Sequence, residues 1–274
     1  ENKSYNIETN NSDFTFSHYR DLLKLAVKNY NFVSYKNAIG SNKSILWRHD
    51  VDFSLNQALS LAQIEHEESV KATYFVNPHS EFYNLAEKNQ FVLVKSILAL
   101  GHDLGLHLDM QFYDGIEESD LEKLVVKEAN YLETLFGIPP VAFSFHNPRA
   151  QDLTMENYDY GGLINCYSKQ FKEEIGYCSD SNGYWRFRRL YNVLLDNKDG
   201  CLQVLTHPGW WHNMALQPRT RILKMVYGRA TATIKHYDEE KNRHGRRNYS
   251  GEIALEVLKT LPEKERNLCD YLFC

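Results

Sequence analysis

Apolar positions recur with two different spacings along the chain, and the two spacings alternate. Short apolar runs predict strands, whereas longer segments with apolar residues three and four apart predict amphipathic helices. Strands joined by helices pair in parallel, so the pattern predicts an α/β fold, either an open sheet or a barrel. The predicted helices cover about 14–30, 55–68, 91–100 and 118–136, and the predicted strands cover about 44–52, 72–76, 103–107, 141–145 and 201–206.

The two ends of the chain do not follow this alternation. The N-terminal residues carry one amphipathic helix, and the residues after Trp211 are helical in pattern and basic. We expect a single catalytic domain over residues 1–274. Its core would span about 44–210, with an N-terminal helical addition at 1–43 and a basic helical extension at 211–274.

Acidic and imidazole side chains stand where the predicted strands end. Asp50 and Asp52 end one strand, and His107, His146 and His207 end three others. The carboxyl ends of parallel strands meet at one rim, where α/β folds keep their active sites. Two carboxylates two residues apart on an extended strand point to the same side, so their charges need a positive group between them. A bound divalent cation meets that need.

Composition narrows the class of protein. The chain has 274 residues, 43% of them hydrophobic and 24% charged, which suffices for a large α/β core. A formal charge of -5 argues against a general nucleic-acid-binding protein, because no basic surplus is available to neutralise phosphates. The five cysteines include no two-residue-spaced pair, which indicates neither a disulfide framework nor a thiolate zinc site. No apolar run reaches the roughly 18 residues of a membrane span, and we expect a cytoplasmic protein.

Four short motifs carry most of the candidate chemistry. They are Asp50-Val51-Asp52, then Gly101-His102-Asp103-Leu104-Gly105-Leu106-His107, then Ser144-Phe145-His146-Asn147-Pro148, and finally Leu205-Thr206-His207. In this order they resemble the motifs of the polysaccharide deacetylase family, over about residues 44–210. The resemblance implies a distorted (β/α) barrel and a metal-dependent carbohydrate esterase.

The resemblance also implies individual roles. Asp50 takes the position of the general base, while Asp52 and His107 take those of metal ligands. His207 resembles the general acid of the last motif. Ser179-Asp180 is similar to a further motif of the family, in which an acid orients the catalytic histidine, so Asp180 is assigned that role.

The third metal ligand departs from the family pattern. The usual second histidine, four residues after the first, corresponds to Gln111, which is a poor zinc ligand. Another residue must therefore complete the site. His146 is the first choice, because it ends the next strand and imidazole suits zinc, and Asp109 is the second.

Three further residues are expected to contact the substrate. Trp185 resembles the tryptophan that walls the acyl pocket in the family, and Arg186 directly follows it. Trp210 lies either in the core or at the mouth of the site, where a sugar would stack on it.

These residue types suit amide hydrolysis, which needs an activated water, a clamp on the carbonyl and a proton for the departing amine. A zinc-like ion with three protein ligands supplies the first two. The expected cofactor is thus one divalent metal ion, zinc. The expected substrate is an acetamido sugar, nucleotide-linked, lipid-linked or polymeric, that loses an N-acetyl or alternatively an O-acetyl group. Such a reaction would serve the synthesis of surface polysaccharide or lipopolysaccharide.

Other readings of the same residues stay open. The metal site could hydrolyse a non-sugar amide, or a catalytically silent descendant could only bind a glycan, which the residue at position 111 would explain. A purely structural partner in a synthesis complex is a further alternative. At the residue level, Asp50 and Asp52 could be a helix cap and a surface acid paired with Arg48.

Overall fold

The structure is a computed structural model that describes residues 11–113 and 116–245. It divides into two compact units, Glu1–Arg221 and Ile222–Cys274. The extreme ends of both predicted additions lie outside the described residues, and the single catalytic domain stays a prediction. None of the helices in the described part of the chain combines the length and hydropathy needed to cross a bilayer.

The first unit is built around a mostly parallel sheet. Its strands are β1 (Asn31–Phe32), β2 (Ser44–Val51), β3 (Thr73–Val76), β4 (Asp103–Leu108), β5 (Ala142–Phe145), β6 (Asp159–Tyr160), β7 (Leu163–Asn165), β8 (Gly176–Ser181), β9 (Tyr184–Trp185) and β10 (Cys201–Thr206).

The strand order is β6-β7-β5-β4-β3-β2-β10-β8-β9, with β1 paired to the start of β2. Among the strands that the structure describes, only the β6–β7 and β8–β9 pairs are antiparallel. Among the described strands, β6 and β9 end this path and do not pair with each other. The predicted α/β class is therefore confirmed, and the parallel strands with their helices fit the predicted distorted (β/α) barrel.

Helices connect the parallel strands, as the periodicity predicts. Thr15 and Ser54 cap two of them. The side-chain hydroxyl of each accepts a hydrogen bond from the backbone N–H three residues later in the chain, at 3.3 Å in both cases. Gly137 ends another in the left-handed region, at a φ of 74°. The helices are α1 (Phe16–Asn29), α2 (Leu55–Glu67), α3 (Lys88–Ala99), α4 (Glu118–Phe136), α5 (Lys169–Glu174), α6 (Leu190–Asp196) and α7 (Pro218–Arg243).

The central strands are buried along their whole length, because both faces of a parallel sheet are covered. Every residue of β2, β3 and β10 is buried. The register pairs Asp50 with Phe75, His107 with Ser144, and Thr206 with His49. The carboxyl ends of β2, β4, β5 and β10 therefore lie at the same rim.

A buried polar cluster lies on the face of β2 that is opposite to Arg48 and Asp50. The carboxylate of Glu65, on α2, is fully buried and accepts hydrogen bonds from Tyr19 and from Tyr74 at 2.7 Å. It also pairs with the His49 ring at 2.5 Å, and the other nitrogen of that ring lies 2.7 Å from the hydroxyl of Thr206. Burial alone would raise the pKa of Glu65, but His49 and Tyr19 hold it below its usual value. The cluster thus joins α1, α2, β2, β3 and β10.

We expect Gly105→Ala to destabilise the barrel by about 1–3 kcal/mol. Gly105 faces Phe75 on the neighbouring strand, and an added Cβ would lie 2.4 Å from the phenyl ring. Gly200→Ala is the matched control, because its nearest neighbour would be an ordinary contact at 3.5 Å. Urea unfolding followed by tryptophan fluorescence measures both variants. Equal midpoints for the two would contradict the close packing at Gly105.

Candidate metal centre and active site

Three side chains meet at the rim of the barrel. Asp52 follows β2, His107 belongs to β4 and His146 follows β5. The Oδ1 atom of Asp52 lies 3.1 Å from His107 Nε2 and 3.2 Å from His146 Nδ1, and these two ring nitrogens are 3.0 Å apart. Within the described ranges, this trio forms the group of ligand-type side chains that could hold a metal ion.

The geometry of the trio fits a divalent transition metal. Three donors bound at about 2.0–2.1 Å to one ion lie about 3.0–3.4 Å apart, which matches the separations observed. Two imidazoles and a carboxylate also suit zinc and its neighbours in the first transition series. Burial lowers the pKa of His146, but Asp52 outweighs burial and the net shift is upward. A cation bound here would therefore compete with a proton on that ring.

Hydrogen bonds from a neighbouring side chain hold His107, the candidate ligand on β4, in place. The Nδ1 atom of His107 lies 2.8 Å from Ser144 Oγ, and the Ser144 hydroxyl donates to Asp50 at 3.4 Å. With Nδ1 engaged as the donor, Nε2 is the nitrogen that faces the trio. Such supporting hydrogen bonds fix both the tautomer and the orientation of a histidine ligand.

Asp50 is held by a buried bidentate ion pair. Arg48 Nε donates to Oδ1 at 2.8 Å and Nη2 donates to Oδ2 at 2.6 Å, with 0% and 3% of the two side chains exposed. Burial would raise the pKa of Asp50, but Arg48 and His107 hold it below its usual value. The pair is therefore no surface ion pair, and the helix cap is Ser54.

A histidine faces the trio from the other side. His207 follows β10, and its Nε2 atom lies 3.9 Å from Asp52 Oδ2. Its Nδ1 atom lies 2.5 Å from the buried Asp180, which also accepts the His207 backbone N–H at 3.0 Å and Trp211 Nε1 at 3.2 Å. Burial would lower the pKa of His207, but the carboxylates of Asp180, Asp52 and Asp50 raise it to about 9. The ring is thus a cation near neutral pH.

A cleft of about 1070 Å³ opens over these residues. Asp52, His146 and His207 line it, together with two of the predicted substrate contacts, Arg186 and Trp210. The Trp210 ring is 5% exposed and meets Phe53 edge to face at 5.3 Å. Trp210 therefore belongs both to the packed rim and to the wall of the cleft.

Trp185 is not among the residues that line the cleft. Its ring stacks on Phe14 at 5.5 Å and meets Trp211 at 6.2 Å. The expected contact between Trp185 and an acyl group remains a prediction.

Gln111 has a structural contact of its own. Its side-chain amide donates to the Asn147 carbonyl at 3.2 Å, and its backbone N–H donates to Asp109 at 2.9 Å. The bond to Asn147 ties the segment after β4 to the segment after β5, beside His146, and the bond to Asp109 is local to the first segment. Asp109 lines the cleft but lies outside the trio.

Sequence reasoning did not identify two residues of the site. Ser144 is hydrogen-bonded to His107 and supports it. The only sequence signal for Ser144 was its place at the start of the motif that ends at Pro148. His79 also lines the cleft, although no motif distinguished it from ordinary structural or surface histidines. It follows β3 by three residues, so the rule that places chemistry at strand ends could have found it.

Of the comparisons with known proteins, the one with solved structures finds similar proteins. No family model matches the chain, and no curated protein matches its sequence. A chitin deacetylase from Colletotrichum lindemuthianum has 13% identity and a TM-score of 0.40, over 73% of this chain and 86% of that chain. A family 4 carbohydrate esterase from Bacillus anthracis has 15% identity and a TM-score of 0.42, over 79% and 86%. A peptidoglycan N-acetylglucosamine deacetylase has 17% identity and a TM-score of 0.40, over 76% and 89%.

These solved structures are carbohydrate deacetylases and esterases, the class that the four sequence motifs resemble. The identities and the TM-scores are low, so the likeness carries no functional argument.

We expect Asp52→Ala, His107→Ala and His146→Ala each to abolish metal binding. Ser144→Ala should weaken binding by about 10–100-fold, because it removes only the support of a ligand. Asp109→Ala is the matched control and should keep about one equivalent of the ion. Elemental analysis and zinc titration of the purified variants measure these effects. Retained metal in His146→Ala together with loss in Asp109→Ala would transfer the third ligand to Asp109.

Proposed function

We propose that the protein is a metal-dependent hydrolase that removes an N-acetyl group from a sugar. One observation carries this proposal: three groups meet at one rim of the barrel. They are the trio of candidate metal ligands, the buried carboxylate of Asp50, and His207, which is hydrogen-bonded to Asp180. Those three parts match the three needs of amide hydrolysis, namely an activated water, a polarised carbonyl and a proton donor.

Asp52, His107 and His146 would hold the ion, for which zinc is the best candidate. When bound, zinc polarises the scissile carbonyl and lowers the pKa of water to about 7. The protein's own task at this point is to present three ligands from separate strands and to leave room for the substrate, which the cleft over the trio provides.

Asp50 serves as the general base. Its low pKa keeps it ionised, and each oxygen that accepts a bond from Arg48 retains a lone pair for a proton. The bidentate guanidinium fixes the direction of the carboxylate, so the base is oriented before a substrate arrives. Arg48 is thus a positioning residue for Asp50.

His207 serves as the general acid. Asp180 occupies Nδ1, which leaves Nε2 to face the trio across the cleft. A protonated ring in that place can pass its proton to the departing nitrogen. Asp180 holds both the backbone and the side chain of His207, and so fixes the direction of the proton transfer.

The substrate that we propose is an acetamido sugar, nucleotide-linked, lipid-linked or polymeric, handled in the synthesis of surface polysaccharide or lipopolysaccharide. An O-acetyl sugar is the second choice. Aromatic residues beside polar groups in the cleft support a carbohydrate ligand, since sugars offer an apolar face and a polar edge. The silent glycan-binding alternative is favoured by Gln111, which bonds to Asn147 where the family has a metal ligand.

We expect Asp50→Asn to retain the metal and to lose at least about 100-fold in turnover, because it removes the base and leaves the ligands intact. Acetate release from acetamido sugars measures turnover, and formamide- and imide-type compounds test the alternative substrates. Glu81→Gln, at the exposed edge of the same cleft, is the control and should stay close to wild type. A metal-loaded wild type that binds glycans and releases no acetate would establish the silent alternative.

The general acid has its own signature in the choice of leaving group. We expect His207→Asn to slow acetamide hydrolysis by about 100-fold or more, because the amine must be protonated as it departs. An activated aryl acetate, whose phenolate leaves without a proton, should be hydrolysed at a rate much closer to that of the wild type. Equal losses on the two substrates would contradict this role for His207.

A further inference from the structure

An exposed aromatic ring stands at the β4 side of the cleft. Phe112 is 58% exposed, although it lines the same cleft as Asp52 and His207. One face of its ring stacks on His79, with centroids 3.6 Å apart and planes inclined by 12°. Because His79 covers one face, the exposed area belongs to the other face and the edge.

The supporting imidazole is firmly held. The His79 backbone N–H donates to Asn77 at 2.8 Å, and Nε2 lies 3.1 Å from both Glu128 and the Tyr113 hydroxyl. Glu128, on α4, is only 3% exposed and also accepts from the Tyr113 hydroxyl. A buried carboxylate is costly unless it is paired, so this cluster orients His79 strictly.

The segment that carries Phe112 is fixed on both sides. Gln111 is bonded to Asn147, and Tyr113 is bonded to Glu128. The adjacent segment is tied to the metal-type trio as well, because the Ser80 hydroxyl donates to the Asp52 carbonyl at 3.3 Å. The exposed ring is therefore preorganised, which lowers the cost of binding on it.

We infer that Phe112 and His79 form a saccharide-binding platform that holds a second sugar ring, next to the ring whose acetamido group is hydrolysed. The apolar face of a pyranose lies on the open face of Phe112, and His79 supports the ring from the other side. The inference rests on the proposed function for the identity of the first sugar. It adds a specificity-determining site, which distinguishes linked sugars from a single one.

Sugar binding without turnover tests the platform. The protein is the zinc-loaded Asp50→Asn variant, and the probes are N-acetylglucosamine and its β-1,4-linked tetrasaccharide, measured by calorimetry. The tetrasaccharide should bind at least about tenfold more tightly than the monosaccharide. Adding Phe112→Ala should weaken tetrasaccharide binding by about five- to tenfold and change monosaccharide binding by less than about twofold.

Two further variants separate the platform from general packing. Phe112→Trp should keep or improve tetrasaccharide affinity, because a larger aromatic face remains. Tyr131→Ala removes another exposed ring, 43% exposed on α4 and outside the lining of the cleft, and should change nothing. Unchanged melting temperatures show that each variant is folded.

The outcomes also distinguish this inference from the proposed function. Tetrasaccharide affinity that is unchanged by Phe112→Ala, while the wild type releases acetate, overturns the platform and leaves the hydrolase. A platform-dependent affinity in a protein that never releases acetate supports the platform and overturns the hydrolase. Failure of the tetrasaccharide to bind at all overturns the platform.

Discussion

One buried carboxylate sets the geometry of the rim. Glu65 has no access to water, and its charge is tolerable only because two tyrosine hydroxyls and His49 are placed around it. Those partners come from α1, β2 and β3, and the far side of the His49 ring reaches Thr206 on β10. The residues that follow His49 and Thr206 in the chain are the proposed base and the proposed acid. The polar cluster on one face of the sheet therefore fixes the spacing of the chemistry on the other.

Charge balance explains the composition of the site. Asp50, Asp52 and Asp180 bring three negative charges into the site, with 3%, 13% and 0% of their side chains exposed. Arg48 and the protonated His207 each supply one positive charge, and a divalent ion would supply two more. With that balance both histidine ligands can be neutral, as metal binding requires. Without the ion, a proton on His146 would offset part of the carboxylate charge, which agrees with the raised pKa of that ring.

The long elements and the rim were predictable, because hydrophobic periodicity and strand ends are local signals. The predicted strands and helices coincide with β2–β5, β10 and α1–α4 within a few residues. The hairpins β6–β7 and β8–β9 were not predicted. The strands β6, β7 and β9 have only two or three residues and therefore no period, and the six residues of β8 contain no apolar run. The burial of the Arg48–Asp50 pair and the place of His79 depend on contacts with distant segments, such as α4 and Glu128. No local pattern encodes those contacts.

The proposed base, Asp50, and its ion-pair partner, Arg48, lie two residues apart on the same strand, β2. The two side chains therefore respond together to a change in strand register. A shift of β2 by one residue against β3 or β10 would turn Arg48 and Asp50 together toward the other face, because side chains alternate. Their ion pair would survive that slip, whereas their distance from the histidines on β4 and β5 would not. Strand register, rather than any single contact, is thus the quantity that an insertion or deletion in β2 would have to preserve.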